Sequence, residues 1–131
     1  MNPCFETATR LARAIRAGRS SSVEATRAHL ERIARLNEPL NALVVVDGER
    51  ALKAARAADR TREKRKPAEL GALHGVPITI KEAFDVAGLA TTSSHPPLKD
   101  NVAHDDASPV ARLRAAGAVI LGKTNVPELC A

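Results

Sequence analysis

Lys81 is the residue in this 131-residue chain whose type and place could do chemistry. It ends the apolar run Val76-Pro-Ile-Thr-Ile80, which reads as a strand. A lysine at a strand end is ordinarily a solvated charge. Held in a partly buried polar site, or beside another cation, it gives up its proton below the usual value of about 10.4 and can serve as a base. Such a base can activate a serine hydroxyl. The serines on offer do not suit that role. Ser93-Ser94 is the only serine pair after Lys81, has no flanking glycine, and precedes Pro96-Pro97, so it reads as a polar loop. Ser20-Ser21-Ser22 reads as helix capping. His74 reads as a structural hydrogen-bonding group. His95, His104, Asp105 and Asp106 lack a rigid ligand spacing, and no metal site is expected.

A second lysine sits in a phosphate-binding pattern. Gly117-Ala-Val-Ile-Leu-Gly122-Lys123-Thr124 satisfies G-x-x-x-x-G-K-[ST]. The mechanism needs a strand before the first glycine and a loop of amides after it. Here a helical pattern precedes Gly117, the four variable residues are strand formers, and Pro127 follows closely. The expectation is a glycine at a helix end, a buried strand and a turn, with no ATP or GTP bound.

The elements that must position Lys81 can be read from periodicity. Ala8, Leu11, Ala12 and Ile15 share one helical face, opposite Arg10, Arg13 and Arg16, with Gly18 as the stop. Ser21-Ser22-Val23-Glu24 is a capping box opening a second helix to about Leu36. Asn37-Glu-Pro39 should break that helix. Ala42–Val46 reads as a strand. Asp47 can cap a third helix through about Lys64, with Ala51, Leu52, Ala55 and Ala58 inward and Pro67 beyond its end. Phe84–Thr92 reads as short extended or turn structure, and Ser93–Asp105 as a loop. Ser108 can cap a helix with Pro109 in its first position, followed by the strand Ala118–Leu121. The strands are nearly all apolar, as expected for a sheet covered on both faces.

Composition sets limits. Of the hydrophobic residues 25 are alanine, and the only aromatics are Phe5 and Phe84. Each alanine buries little area, so at about 25 cal/mol per Å² the core should be modest. The net charge of +5 comes from residues 1–70, which hold 15 Lys and Arg against 9 Asp and Glu, while residues 71–131 hold 5 against 6. Without aromatics to stack on bases, that charge reads as solvated helix surface rather than a nucleic-acid face. No leader-like or membrane-spanning run is visible, and Cys4 and Cys130 lack metal-type partners. A cytoplasmic, reduced protein is expected.

Three ordered blocks then carry a resemblance. Leu73-His-Gly-Val-Pro-Ile-Thr-Ile-Lys81, Asp85-Val-Ala-Gly-Leu-Ala-Thr-Thr92, and Leu113-Arg-Ala-Ala-Gly-Ala-Val-Ile-Leu-Gly-Lys-Thr-Asn125 with Pro127-Glu128 resemble the N-terminal part of the amidase signature family. Leu40-Asn-Ala-Leu-Val-Val-Val46 fits the family's start. The resemblance implies an α/β fold with helices around a mixed β-sheet, incomplete in this chain. Residues 1–131 would form the N-terminal segment of one amidase domain, with 1–66 mainly helical and 71–131 bearing the strands and the lysine.

The resemblance also implies an amidase-type hydrolase of carboxylic amides with a Ser–cisSer–Lys triad. Lys81 falls on the triad lysine. The two serines, and the glycine-rich segment whose amides form the oxyanion hole, are not among these residues. The isolated chain is therefore expected to be inactive, as a truncated enzyme. Glu82 stands where many members carry Asp, which bears on local hydrogen bonding. A small amide substrate is implied, with no cofactor, nucleic acid or membrane, and with room for a homo-oligomer. The rival readings are a non-catalytic remnant or interaction protein, and a glutaminase segment of the family's amidotransferase branch.

Overall fold

The computed structural model describes residues 2–131. Four α-helices and three strands alternate along the chain: α1 Ala8–Arg16, α2 Ser22–Leu40, β1 Leu43–Val46, α3 Gly48–Lys64, β2 Pro77–Lys81, α4 Ser108–Ala115 and β3 Val119–Thr124. The sheet order is β1-β3-β2, with β3 antiparallel to β1 and parallel to β2. This is the mixed α/β arrangement expected, with β3 in the centre.

The helix starts follow the local chemistry. At α2, Ser21 Oγ accepts from the Glu24 amide at 3.0 Å, and the Ser21 amide donates to Glu24 Oε2 at 2.8 Å, completing the capping box. That bond from the Ser21 backbone is the main reason the Glu24 carboxyl lies below its ordinary range. Ser22 does another job. Its hydroxyl donates to Gly75 O at 2.7 Å, while the Asp59 carboxylate accepts from the Ser22 and Val23 amides. Gly75 has φ +73°, and a Cβ there would lie 2.9 Å from Ser22 Cβ, so the turn into β2 calls for glycine.

Two helix boundaries differ from the sequence reading. Pro39 does not break α2, which runs to Leu40 and ends on Asn41 with φ 46°. A proline costs an amide and crowds the carbonyl four residues back, but close to the end of a helix little helix remains to disrupt. At α4 the cap position is Ala107, without a side-chain cap bond, so Ser108 lies inside the first turn instead of capping it.

The core has three parts. Leu11, Ala12, Ile15, Ala25 and Val76 join α1 and α2 to the start of β2. Ala51, Ala55, Val119 and Leu121 pack α3 on β3, with Val23, Leu30 and Ile33 of α2 alongside. Ile80, Val86, Val110 and Ile120 join β2 and β3 to α4 and the turn after β2. Only β3 is covered on both faces. In β1 exposure alternates, leaving Val44 and Val46 44% and 46% exposed. In β2 Thr79 and Lys81 are exposed. The two-sided cover expected from apolar composition therefore fails for the edge strands. Composition reports that a strand can be buried, not that helices are present to bury it.

Candidate active site

Lys81 is the last residue of β2 and pairs in register with Thr124 of β3. The C-terminal ends of neighbouring parallel strands are where open α/β sheets bind ligands. Alternation along β2 puts Thr79 and Lys81 on the face opposite Ile80, and both are exposed. The ammonium takes no ion pair among the described residues. The partly buried polar site that would favour a neutral lysine is thus not built by residues 2–131 alone.

A buried ionic network lies on the other side of the same strand end. Glu82 is 2% exposed and Lys123 is fully buried. Glu82 Oε1 accepts from the Thr92 amide at 2.5 Å and Oε2 from the Ser93 amide at 2.6 Å. Lys123 Nζ donates to Ala90 O at 2.6 Å and Thr91 Oγ1 at 2.8 Å, and lies 3.9 Å from Glu82 Oε1. Burial pulls the Lys123 ammonium below its ordinary range, while the charges of Glu82 and Asp85 oppose that shift.

A local irregularity aims Lys123. Ile78 pairs with Ile120, but Thr79 pairs with Gly122, so Leu121 is an extra residue in β3. Such a bulge changes the face on which later side chains fall. It lets Lys123 join the side of the sheet where Ile120 and Ile80 meet the turn after β2, rather than the α3 side used by Leu121.

The other residues weighed from sequence fall into structural roles. Gly122, Lys123 and Thr124 lie within β3, so the phosphate-loop pattern is built as strand. His74 is buried, with Nε2 3.0 Å from Ala58 O, as expected of a structural histidine. Ser93 and Ser94 form part of a turn at φ 48° and 52°. Ser94 Oγ donates to Val126 O at 2.7 Å. His95 Nδ1 lies 2.8 Å from Glu128. Asp106 accepts from the Ala87 amide and from Arg114 Nε, apart from His104 and Asp105. The described residues include no group of three His, Cys, Asp or Glu that could hold a metal. They include no helix long and apolar enough to cross a membrane.

Sequence reasoning missed the role of Lys123, which it weighed only as a phosphate ligand. The usable signal was a lysine continuing an otherwise apolar strand. A buried charge needs a partner, and Glu82, next to the end of a parallel strand, is the carboxylate within reach.

Known proteins share this framework. Residues 24–131 match the family described as Amidase. Over 117 residues the chain is 50% identical to an indoleacetamide hydrolase of Bradyrhizobium diazoefficiens, covering 89% of this chain and 22% of that protein. It is 43% identical to a glutamyl-tRNA(Gln) amidotransferase subunit of Salinispora tropica, covering 93% of this chain and 24% of that one. The solved structure of native peptide amidase from Stenotrophomonas maltophilia superimposes with a TM-score of 0.87 at 38% identity, covering 98% of this chain and 26% of that one. The chain spans about a quarter of the length of the curated relatives it matches. With the helical layer, the mixed sheet and the lysine-bearing strand end all inside these matches, the chain belongs to the amidase signature family.

Proposed function

We propose that this chain supplies the lysine base of a Ser–cisSer–Lys site that hydrolyses carboxylic amides. The observation that carries the reading is Lys81 at the C-terminal end of β2, beside parallel β3, inside the ordered sequence blocks that resemble the family. In this reading a serine oxygen attacks the amide carbonyl as its proton passes through a bridging serine to Lys81. The tetrahedral intermediate then collapses, the C–N bond breaks, and the proton goes to the departing amine. Water repeats the sequence on the acyl-serine. Backbone amides aimed at the developing oxyanion supply a large share of the rate. Both serines and those amides come from residues other than these 131, and so does the cover that Lys81 needs to act as a base.

Two preparations test this. The 131-residue chain alone should show no turnover of short aliphatic and aromatic amides above buffer, and turnover lost in Lys81→Ala would contradict that. A hybrid in which this chain replaces the corresponding quarter of the Stenotrophomonas maltophilia peptide amidase should hydrolyse peptide amides. Lys81→Ala in the hybrid should lower kcat roughly 10²–10⁴-fold, the scale of lost general acid–base catalysis. A Lys81→Ala hybrid as active as the unsubstituted hybrid would remove the lysine from the mechanism.

A further inference from the structure

Beyond the ends of β2 and β3 the chain makes a turn that ordinary residues avoid. Ser93 and Ser94 are consecutive non-glycine residues with φ 48° and 52°. Backbone of this kind is strained and persists only where its surroundings hold it. The holding groups are identifiable. The two oxygens of Glu82 accept from successive amides, Thr92 and Ser93, at 2.5 and 2.6 Å. These are short charge-assisted bonds of the stronger kind. Lys123 grips the two residues before them, through Ala90 O and Thr91 Oγ1. From the outer side, the Leu129 amide donates to Ser93 O at 2.7 Å, and Ser94 Oγ donates to Val126 O.

We propose that Glu82 and Lys123 are positioning residues, forming a buried clamp that presets the Thr91–Ser94 turn at the rim of the amide site, beyond the strand end that bears Lys81. The proposal rests on the reading of Lys81 as the site's base. Stability alone does not explain the pair, because well-packed apolar residues in place of a buried ion pair are often as stable or more so. The carboxylate does what an apolar group cannot. It satisfies two adjacent amide donors and fixes the turn by a fork. The fork stands next to Lys81 in sequence, at the strand ends where such sheets bind ligands. Asp85 also acts on Lys123, and on the outer turn His95 Nδ1 lies 2.8 Å from Glu128 Oε1.

Amide-resolved NMR of the 131-residue chain tests the clamp. In the wild type the Thr92 and Ser93 amide protons should resonate well downfield. They should exchange at least tenfold more slowly than the amide of Asp100, in the neighbouring turn. In Glu82→Gln both shifts should move upfield and exchange at residues 92–94 should quicken at least tenfold, while Ile80 and Ile120 keep their protection. Unchanged Thr92 and Ser93 shifts in that variant would overturn the proposal, and so would an equal rise in exchange across the whole sheet, the mark of general destabilisation. Should Glu82→Gln not fold, the wild type decides, since unprotected Thr92 and Ser93 amides at neutral pH also overturn it. Lys81→Ala should leave these signals unchanged, so the clamp and the hydrolytic reading can fail separately.

Discussion

Lys123 shows how residue type and residue role separate. In sequence it completes a phosphate-loop pattern; in the fold it is a fully buried cation whose ammonium bonds Ala90 and Thr91 beside Glu82. Removing one partner of a buried pair leaves the other uncompensated, at about 3–5 kcal/mol. Lys123→Met should lower unfolding stability by that amount, read from urea titration of the two chains. The pH dependence has a definite sign. The folded ammonium lies below its ordinary value of 10.5 through burial, opposed by Glu82 and Asp85. Between the two values the unfolded chain binds more protons, so this group makes stability rise with pH across that window. Lys123→Met should abolish that rise. At this scale the strand end that carries Lys81 was legible because its motif is local and ordered. The partnership of Glu82 with Lys123 was not, because it joins residues 41 apart across a parallel strand pair.

Among the elements, what was legible depended on how locally each was determined. The Ser21–Glu24 capping box could be read because all its groups lie within four residues. Ser21→Ala should cost about 1 kcal/mol, seen as a lower thermal midpoint, and an unchanged midpoint would deny the cap its role. The end of α2 could not be read, because Pro39 breaks a helix or merely precedes its end according to where the chain must turn. The bulge at Leu121 was equally hidden, since register belongs to a pair of strands. Gly122 marks the same place. A Cβ there would stand 2.0 Å from Val45 O, so β1 and β3 could not keep their spacing. Gly122→Ala should destabilise by at least about 1–3 kcal/mol and expose the β1 amides to exchange. Retained protection at Val45 and Asp47 would contradict this account of the glycine.

The described residues place helices on both sides of a three-stranded sheet whose edge strands, β1 and β2, are free among those residues. Beside those edges Val44, Val46 and Phe84 are exposed, and Phe5 and Leu129 are exposed elsewhere. Free edges and uncovered apolar side chains favour pairing with further chain. The purified 131-residue protein should therefore associate with rising concentration in sedimentation. A monodisperse monomer unfolding cooperatively above about 60 °C, high in the mesophile range, would show that the segment needs no such cover. The α/β class was legible from alternating periodicities, whereas the uncovered strip holding Thr79 and Lys81 was not. That strip reflects how far α2 and α3 reach across the sheet, and no strand's own residues record it.

The central claim is that Lys81 is the proton acceptor of an amide-hydrolysing site. Restoring the base from solution tests it most directly. In the peptide amidase hybrid, Lys81→Ala should leave a cavity that a small primary alkylamine can enter. Turnover of a peptide amide should return with added amine, and more steeply as pH rises and the neutral amine becomes abundant. Wild-type turnover by Lys81→Ala without any amine would contradict the claim.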